Sequence, residues 1–217
     1  MGDHMNKTKL NRGFMICFIL MVAVGSLLFI PEKGALTIWI NERRTDFGDW
    51  FFVLITNLGY GWAFVVACTF LMMIRLRFAA MMAVSGVLTA IFSAFLKNVV
   101  FPDAPRPPKF FMGVHDLHFI DGVKILNEHS FPSGHAMAAF AVFGMLAFIT
   151  RKNIWGILFF LIACLVGLSR IYLLKHFYDD VYAGAIIGSV ISILVYRIVS
   201  PVTAGWMDKS VLWLRNT

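Results

Sequence analysis

The sequence predicts an all-α fold, a bundle of six transmembrane helices. The chain of 217 residues is 59% hydrophobic and only 14% charged, whereas a soluble domain carries about 25% charged residues. Its mean hydropathy is +0.78. Six apolar runs follow one another along the chain, and each is long enough, or nearly so, to cross about 30 Å of hydrocarbon. Helices are expected because a helix closes all its backbone hydrogen bonds within one segment.

The six runs predict one membrane domain, residues 13–200, with a short segment on either side. Residues 1–12 are expected in the cytoplasm, and the first four of them resemble a scar left by cloning before a native start at Met5. No small-residue cleavage pattern follows the first run, so a retained span is expected rather than a signal peptide. The mixed segment 31–49 predicts an interfacial stretch, and the tail 201–217 predicts an amphipathic segment on the membrane surface. The spans are predicted near 13–30, 50–74, 78–100, 132–150, 154–174 and 179–200.

The distribution of Lys and Arg predicts the orientation of the bundle. Ten of the 19 lie before the first span and after the second, fourth and sixth, and the positive-inside rule makes that side cytoplasmic. Three of the other nine belong to the candidate site described below, which leaves a ratio of ten to six. Loops 101–131 and 174–179 then face outward together. Loop 101–131 is long, and long loops are usually functional or disordered.

The net charge of +7 does not indicate a nucleic-acid partner, because the positive residues are scattered at the ends of apolar runs. The expected surroundings are a lipid bilayer. Cys17, Cys68 and Cys164 all lie inside apolar runs. They are interpreted as small buried hydrophobic residues, not as a disulfide frame or a metal site.

Three polar clusters lie at the predicted outward ends of the spans. Ionisable residues at the membrane edge are costly and are functional candidates by default. A Ser-Gly-His sequence at the first turn of a helix offers free backbone N–H groups, a hydroxyl and an imidazole, which together suit a phosphate. The clusters are Lys97 with Arg106-Pro107, then Pro132-Ser133-Gly134-His135, and then Ser169-Arg170 followed by His176 and Asp180.

The third cluster has the residue types of a nucleophile and its supports. His176 and Asp180 are four residues apart, which on a helix would place both on one face. A carboxylate there accepts from one ring nitrogen, fixes the tautomer and leaves the other nitrogen free to attack. The guanidinium of Arg170 suits a two-pronged grip on phosphate oxygens, and Lys97 and Arg106 add two cations. Phosphoryl transfer needs this combination of positive charge, an in-line nucleophile and an acid for the leaving oxygen.

The three clusters resemble the signature of the type 2 phosphatidic acid phosphatase superfamily of membrane lipid phosphatases. That signature reads Lys, six residues, Arg-Pro; then Pro-Ser-Gly-His; then Ser-Arg, five residues, His, three residues, Asp. The second and third motifs match without deviation. In the first, eight residues rather than six separate Lys97 from Arg106, a departure that a bulge would absorb. The resemblance covers most of residues 50–200.

The resemblance implies a lipid phosphatase without metal or cofactor. With the orientation predicted from Lys and Arg, it is expected in the bacterial inner membrane with its site facing the periplasm. Its substrate would be a phospholipid, polyprenyl or glycolipid phosphate: undecaprenyl pyrophosphate, lipid A, phosphatidylglycerol phosphate or phosphatidic acid. By the same resemblance, His176 would be the nucleophile that forms a phosphohistidine, and Asp180 would orient it. His135 would protonate the leaving oxygen and then activate water. The residues implied to hold the phosphate are Lys97, Arg106, Ser133, Gly134 and Arg170.

Plainer interpretations of the single residues stay open. Pro-Ser-Gly is also ordinary capping chemistry, Arg170 suits an interfacial anchor, and His176 with Asp180 suits a structural pair. The occurrence of all three clusters in order and on one predicted side favours function. The loop residues His115, His118 and His129 suit a metal or a head group, but solvated loop residues are favoured. Gly184 and Gly188 predict close helix packing. Asn57 and Tyr60 are interpreted as polar residues that pack within the second span.

Three rival functions remain. A phosphotransferase on the same scaffold would pass the phosphoryl group to an acceptor other than water, and the sequence does not separate it from a hydrolase. A transporter would carry ionisable groups in the middles of several spans, and the six runs carry none there. A structural protein without activity is disfavoured because His135, His176 and Asp180 are intact. The oligomeric state is not predicted.

Overall fold

The computed structural model describes residues 9–29, 32–150 and 152–211, and over these residues the fold is helical, without strands. The expected cloning scar and native start, the end of the first predicted span and the last part of the predicted tail lie outside the described residues. In chain order the helices are α1 (Arg12–Gly25), α2 (Ala35–Asn41), α3 (Asp46–Ile55), α4 (Trp62–Ile74), α5 (Leu76–Phe95), α6 (Pro107–Phe110), α7 (Gly134–Thr150), α8 (Asn153–Tyr172) and α9 (Tyr178–Val199).

Within the described residues, four helical segments are long and apolar enough to cross a membrane, and a bent pair makes a fifth if it is counted as one span. α7 is apolar but has 17 residues, about 25 Å at 1.5 Å per residue. An all-helical membrane protein is therefore confirmed, while the number of six spans stays a prediction. The four segments are Arg12–Phe29, Leu76–Val100, Asn153–Tyr172 and Tyr178–Val199, and the bent pair is Asp46–Gly59 with Trp62–Ile74.

α7 forms the centre of the bundle. It is apolar on every side and twelve of its residues are buried, as expected for a helix enclosed by other helices. α9 packs closely on it, because a Cβ atom at Gly184 would lie 2.6 Å from the carbonyl oxygen of Ser133. Gly188 meets the backbone of Met137 in the same way. The predicted close packing at these two glycines thus brings the start of α7 against the start of α9.

The second predicted span, 50–74, is not one continuous helix. α3 passes into a 3₁₀ turn, Thr56–Gly59, and α4 leaves at an angle of 60° to it. The Asn57 side chain donates to the carbonyls of Val53 and Leu54, at 3.1 Å each, and so satisfies acceptors near the end of α3. Gly59 has no room for a side chain, since a Cβ would lie 2.8 Å from the Val166 side chain. The break therefore results from local capping and from a close approach to α8.

The segments flanking the spans are fastened to the bundle by polar contacts. Within 31–49, Asp49 accepts a hydrogen bond from the Tyr172 hydroxyl of α8 at 2.7 Å. Near the other end of the chain, the buried guanidinium of Arg77 pairs with Asp208 at 3.0 Å. The predicted membrane-surface positions of both flanking segments stay predictions.

Candidate active site

The three polar clusters meet at one end of the bundle, where α7 and α9 begin and α5 and α8 end. The backbone N–H of Ser133 donates to the Asp180 carbonyl at 2.9 Å, which joins the second cluster to the third. Lys97 Nζ and Arg106 Nη2 both donate to the His129 carbonyl, each at 3.1 Å. These bonds join the second cluster to the third and hold the two cations of the first cluster beside each other.

His176 and Asp180 are neighbours, but not through one face of a helix as predicted. His176 precedes α9, in the turn from α8, and Asp180 lies in the first turn of α9. The Asp180 carboxylate accepts from the N–H of Phe177 at 2.9 Å, so it caps the helix start. The same oxygen lies 3.4 Å from His176 Nδ1. A capping contact therefore brings the two side chains together.

The turn between α8 and α9 carries His176 back to Arg170. The backbone N–H groups of Lys175 and His176 both donate to the Arg170 carbonyl, at 2.9 and 3.1 Å. Leu174 takes a left-handed conformation with φ of 55°, which for a residue other than glycine costs about 1–3 kcal/mol. The residues between Arg170 and His176 therefore end in a tight turn rather than continuing as a helix.

Ser130 is a site residue that the sequence reasoning missed. Its Oγ donates to Oδ2 of Asp180 and lies 3.4 Å from His176 Nδ1. The hydroxyl is buried with both partners and links the carboxylate to the imidazole. The available signal was its position two residues before Pro132, next to the second motif, but periodicity gave no reason to single it out.

Arg106 reaches the site despite the eight-residue spacing. Leu96–Val100 form a π-helical turn, wider than an α-helical turn, before the chain leaves α5. Arg106 Nε donates to the Glu128 carbonyl and Nη1 to the Lys175 carbonyl, both at 2.7 Å. Loop 101–131 therefore braces this guanidinium, and the departure from the six-residue pattern removes neither cation from the site.

The contact between Arg106 and His176 fixes the state of the imidazole. Arg106 Nη1 lies 3.3 Å from His176 Nε2. A guanidinium only donates, so Nε2 must be the accepting, unprotonated nitrogen of a neutral ring. The proton then resides on Nδ1, which faces Ser130 Oγ and Asp180 Oδ2. Nε2 is the nitrogen with a free electron pair, as a nucleophile requires.

Burial and neighbouring cations favour the neutral form of His176. Its side chain is fully buried, and desolvation first, then the charges of Arg106, Arg170 and Lys97, place its pKa well below the usual 6.5. Burial also lowers the pKa of Arg106. The pKa of Lys175 is lowered to about 8, by burial and then by Arg170 and Arg106. The site thus concentrates positive charge without an equal number of carboxylates.

The start of α7 presents the second cluster to the same place. Ser133 is completely buried, and its Oγ accepts from the N–H of Ala136 at 3.4 Å, as a helix cap does. A Cβ at Gly134 would lie 3.0 Å from Ser93 Oγ and 4.0 Å from Lys97 Cε. This residue therefore lets α5 and its lysine approach the helix start.

Two buried nitrogens of the site have no hydrogen-bond partner among the described residues. They are Nε2 of His135 and Nε of Arg170. A buried polar group without a partner is costly. Both are nitrogens that a phosphate group could satisfy, one on an imidazole and one on a guanidinium.

The loop histidines do not assemble a metal site within the described part of the chain, where no group of three or more His, Cys, Asp or Glu could hold an ion. His129 Nδ1 contacts the Lys97 carbonyl at 3.2 Å, and the backbone of His118 pairs with the side chain of Asn41. His115 packs edge-on against Phe111. These contacts hold loop 101–131 in place.

Fold and site together define a helical membrane protein with a buried, cationic, histidine-bearing site at one end of its bundle, suited to a phosphate group. The family comparison agrees with this class. The sequence model of the PAP2 superfamily matches residues 74–204, more than half of the chain, so this chain belongs to the PAP2 superfamily.

Curated relatives resemble the chain over about a third of its length. Phosphatidylglycerophosphatase B of Bacillus subtilis is 39% identical over 78 residues, 32% of this chain and 38% of that protein. Lipid phosphate phosphatase 1 of Arabidopsis thaliana is 36% identical over 81 residues, 31% of this chain and 25% of that protein. Bacitracin transport permease protein BcrC of Bacillus licheniformis is 38% identical over 69 residues, 32% of this chain and 33% of that protein. The matches thus span less than two fifths of each relative.

Two solved structures share the fold over more of the chain. LpxE of Aquifex aeolicus has a TM-score of 0.67 and 28% identity, and the match covers 77% of this chain and 96% of that one. A PAP2-type phosphatidylglycerolphosphate phosphatase of Bacillus subtilis has a TM-score of 0.56 and 24% identity, with coverage of 89% and 96%. The helical arrangement is therefore that of a PAP2 membrane protein.

Proposed function

We propose that this chain is a membrane lipid phosphatase that hydrolyses a lipid phosphomonoester or pyrophosphate through a phosphohistidine on His176. The observation that carries the proposal is the setting of that imidazole. Its Nε2 lies 3.3 Å from Arg106 Nη1, which can only donate, while Nδ1 faces Ser130 and Asp180. Family membership and the names of similar proteins, which include a phosphatidylglycerophosphatase and a lipid phosphate phosphatase, support it.

The reaction has two balanced steps. In the first, His176 Nε2 attacks phosphorus, the bond from phosphorus to the lipid oxygen breaks, and protonated His135 gives that oxygen a proton. In the second, His135 takes a proton from water, the water oxygen attacks phosphorus, and the bond to Nε2 breaks to release phosphate. Asp180 holds the Nδ1 proton in place during the attack and stabilises the ring as it gains positive charge.

Arg106 has to leave Nε2 when the substrate arrives. Its Nη1 donates to Nε2 at 3.3 Å but also to the Lys175 carbonyl at 2.7 Å. A phosphate oxygen is a stronger acceptor for a guanidinium than an imidazole nitrogen is. Substrate binding would therefore draw the Arg106 N–H onto phosphate and expose the electron pair of Nε2.

The cations of the site supply the charge stabilisation that a metal ion provides in other phosphatases. Lys97, Arg106 and Arg170 would bind the phosphate oxygens, with Ser133 and Gly134 offering groups at the start of α7. We therefore propose a reaction that proceeds without metal. The distribution of Lys and Arg supports a site on the periplasmic side of the bacterial inner membrane.

The proposed substrate class follows from a phosphate site at the end of a membrane bundle, where a lipid head group is reached while its chains stay in hydrocarbon. Undecaprenyl pyrophosphate, lipid A, phosphatidylglycerol phosphate and phosphatidic acid all meet this description. The similarity to phosphatidylglycerophosphatase B supports phosphatidylglycerol phosphate as a member of the test set.

Phosphate release by the detergent-purified protein tests the proposal. The four lipids would each be presented with a chelator, beside a His176→Ala variant whose folding is checked by thermal melting. We expect release from at least one lipid with the wild type and none with the variant. Equal release by both proteins would contradict the role of His176, and loss of activity with chelator would contradict metal independence. Transfer of phosphate to an added acceptor lipid, in place of release, would identify the phosphotransferase.

A further inference from the structure

The break in the second span touches two residues of the site. The segment Thr56–Tyr60, here called the span break, contains the 3₁₀ turn Thr56–Gly59 and the extended residue Tyr60. In a 3₁₀ turn residues i and i+3 eclipse, so Thr56 and Gly59 face the same side. The span break lies outside residues 74–204, which match the family model. Its contacts are therefore a feature of this chain that the family match does not cover.

The first contact joins the span break to Arg170. Thr56 Oγ1 accepts from Arg170 Nη1 at 2.6 Å. Thr56 is 6% exposed and Arg170 5%, so the bond is shielded from water and strengthened by the charge of the donor. The opposite edge of the guanidinium contains Nε, which is buried without a partner among the described residues. A guanidinium held at one corner presents that second edge in a fixed direction.

The second contact joins the span break to His135. The Tyr60 ring meets the His135 ring edge-on, with centroids 4.4 Å apart and planes at 68°. A Cβ at Gly59 would lie 3.0 Å from His135 Cβ and 3.1 Å from Cδ2. Gly59 and the ring of Tyr60 thus both pack against His135 and limit the rotation of its imidazole. His135 Nε2 is left buried and unpartnered.

We propose that the span break is a positioning element of the active site: Thr56 aims the guanidinium of Arg170 at phosphate, and Tyr60 with Gly59 holds the imidazole of His135 toward the leaving oxygen. The inference rests on the proposed function for the roles of Arg170 and His135. The two contacts should affect different kinetic constants, because in the proposed function Arg170 binds the phosphate whereas His135 transfers a proton. Loss of the first raises KM and weakens phosphate analogues, and loss of the second lowers kcat.

Three threonine variants test the first contact. Thr56→Val keeps the shape of the side chain and removes its hydroxyl, and Thr56→Ser keeps the hydroxyl. Thr89→Val is the matched control, since Thr89 is also buried in a span but its hydroxyl has no partner among the described residues. We expect Thr56→Val to raise KM and the inhibition constant for orthovanadate by about tenfold or more, the scale of one hydrogen bond to a charged group. Thr56→Ser and Thr89→Val should stay close to wild type. Unchanged constants in folded Thr56→Val, or equal losses in Thr56→Ser, would overturn the role of the hydroxyl.

Two tyrosine variants test the second contact independently. Tyr60 is 46% exposed, so its replacement leaves the packed core intact. Tyr60→Phe keeps the ring against His135 and should retain kcat, whereas Tyr60→Leu should lower kcat about tenfold with little change in KM, a part of the roughly 10²- to 10⁴-fold that one positioned acid contributes. An unaltered kcat in Tyr60→Leu would overturn this half of the proposal, and so would an equal loss in Tyr60→Phe.

Thermal stabilisation by orthovanadate separates this inference from the proposed function, because it requires no turnover. If vanadate raises the melting temperature of the wild type and of Thr56→Ser but much less that of Thr56→Val, the positioning of Arg170 holds even for a protein that hydrolyses none of the test lipids. If vanadate shifts wild type and Thr56→Val alike, the inference fails while lipid hydrolysis can still stand. If vanadate does not stabilise the wild type, the protein lacks the expected anion site and the inference is overturned.

Discussion

Replacing Asp180 with Asn tests how the site prepares its nucleophile. The carboxylate oxygen Oδ2 accepts from Ser130 Oγ and from the N–H of Phe177, and it faces His176 Nδ1 at 3.4 Å. In Asp180→Asn the amide oxygen can still accept from Phe177, so the cap of α9 is kept. That amide oxygen then stands in for Oδ2 toward Ser130 and His176 as well, the NH₂ takes the place of Oδ1, and the substitution removes the negative charge.

The size of the effect follows from the lost charge. A neutral amide oxygen opposite Nδ1 stabilises the ring much less than a carboxylate does as the ring gains positive charge during the proposed attack. The corresponding change of an orienting carboxylate to an amide in a serine protease, where the tautomer also changes, lowers kcat about 10⁴-fold. We expect a smaller loss here, about 10²-fold or more, or about 2.7 kcal/mol at 1.36 kcal/mol per tenfold. The free energy of unfolding should change by only about 1 kcal/mol, because the capping hydrogen bond survives.

Phosphate release at saturating lipid, together with thermal melting, provides the assay. The matched control is Asp179→Asn, which changes the adjacent carboxylate. Asp179 pairs with Lys33 at 3.0 Å on the surface, and such pairs contribute about 0–1 kcal/mol, so this variant should keep its rate. A folded Asp180→Asn protein that retains more than a tenth of the wild-type kcat would refute the reasoning.

Three further predictions concern the cations, the imidazole and the helix packing. Arg170→Lys should lose most activity, because one ammonium cannot replace a planar fork that contacts Thr56 and, in the proposed mechanism, a phosphate oxygen. The measurement is kcat/KM at fixed pH. The pKa of His176 lies well below 6.5, so the ring stays neutral as the pH falls through 6.5, and the acid limb of kcat/KM from this group should lie below that pH. Gly188→Ala should lower the free energy of unfolding by about 1–3 kcal/mol, because its Cβ would overlap the Met137 backbone and push α9 from α7; thermal melting measures this.

Each of the three has a contrary result or a control. Arg170→Lys with wild-type kcat/KM would show that the two-pronged contact is not used. An acid limb centred at or above pH 6.5 that is present in every variant retaining His176 would contradict the depressed pKa of this ring. For the packing, Gly205→Ala is the control, because a Cβ there meets nothing within 4 Å, and an equal loss of stability in both variants would contradict the argument from contact.

Several features were accessible from the sequence because they depend on local chemistry. Long apolar runs require helices in a membrane, and this fixed the class of fold and the approximate positions of the helices. The paired glycines of α9 indicated close packing, and their Cβ positions in the structure explain why. The three polar motifs indicated which residues to expect together, and the structure places all of them at one end of the bundle.

Other features depend on contacts between residues far apart in the chain. Ser130 and Asp180 are 50 residues apart, and Thr56 and Arg170 are separated by 114, so no local pattern could pair them. The same holds for the braces on Arg106, which come from loop 101–131 and from the turn after α8. The sequence also suggested one helix face for His176 and Asp180, whereas a capping contact across a turn joins them.

The sequence by itself determined that this chain is a helical membrane protein carrying the polar motifs of its family, because hydrophobic run length and motif spacing are local properties. Only the tertiary structure decided how those motifs are supported: which nitrogen of His176 accepts a hydrogen bond, what holds Arg170 and His135, and where the second span breaks. The physical reason is that hydrogen-bond partners and steric contacts are set by the packing of distant segments, which local composition does not specify.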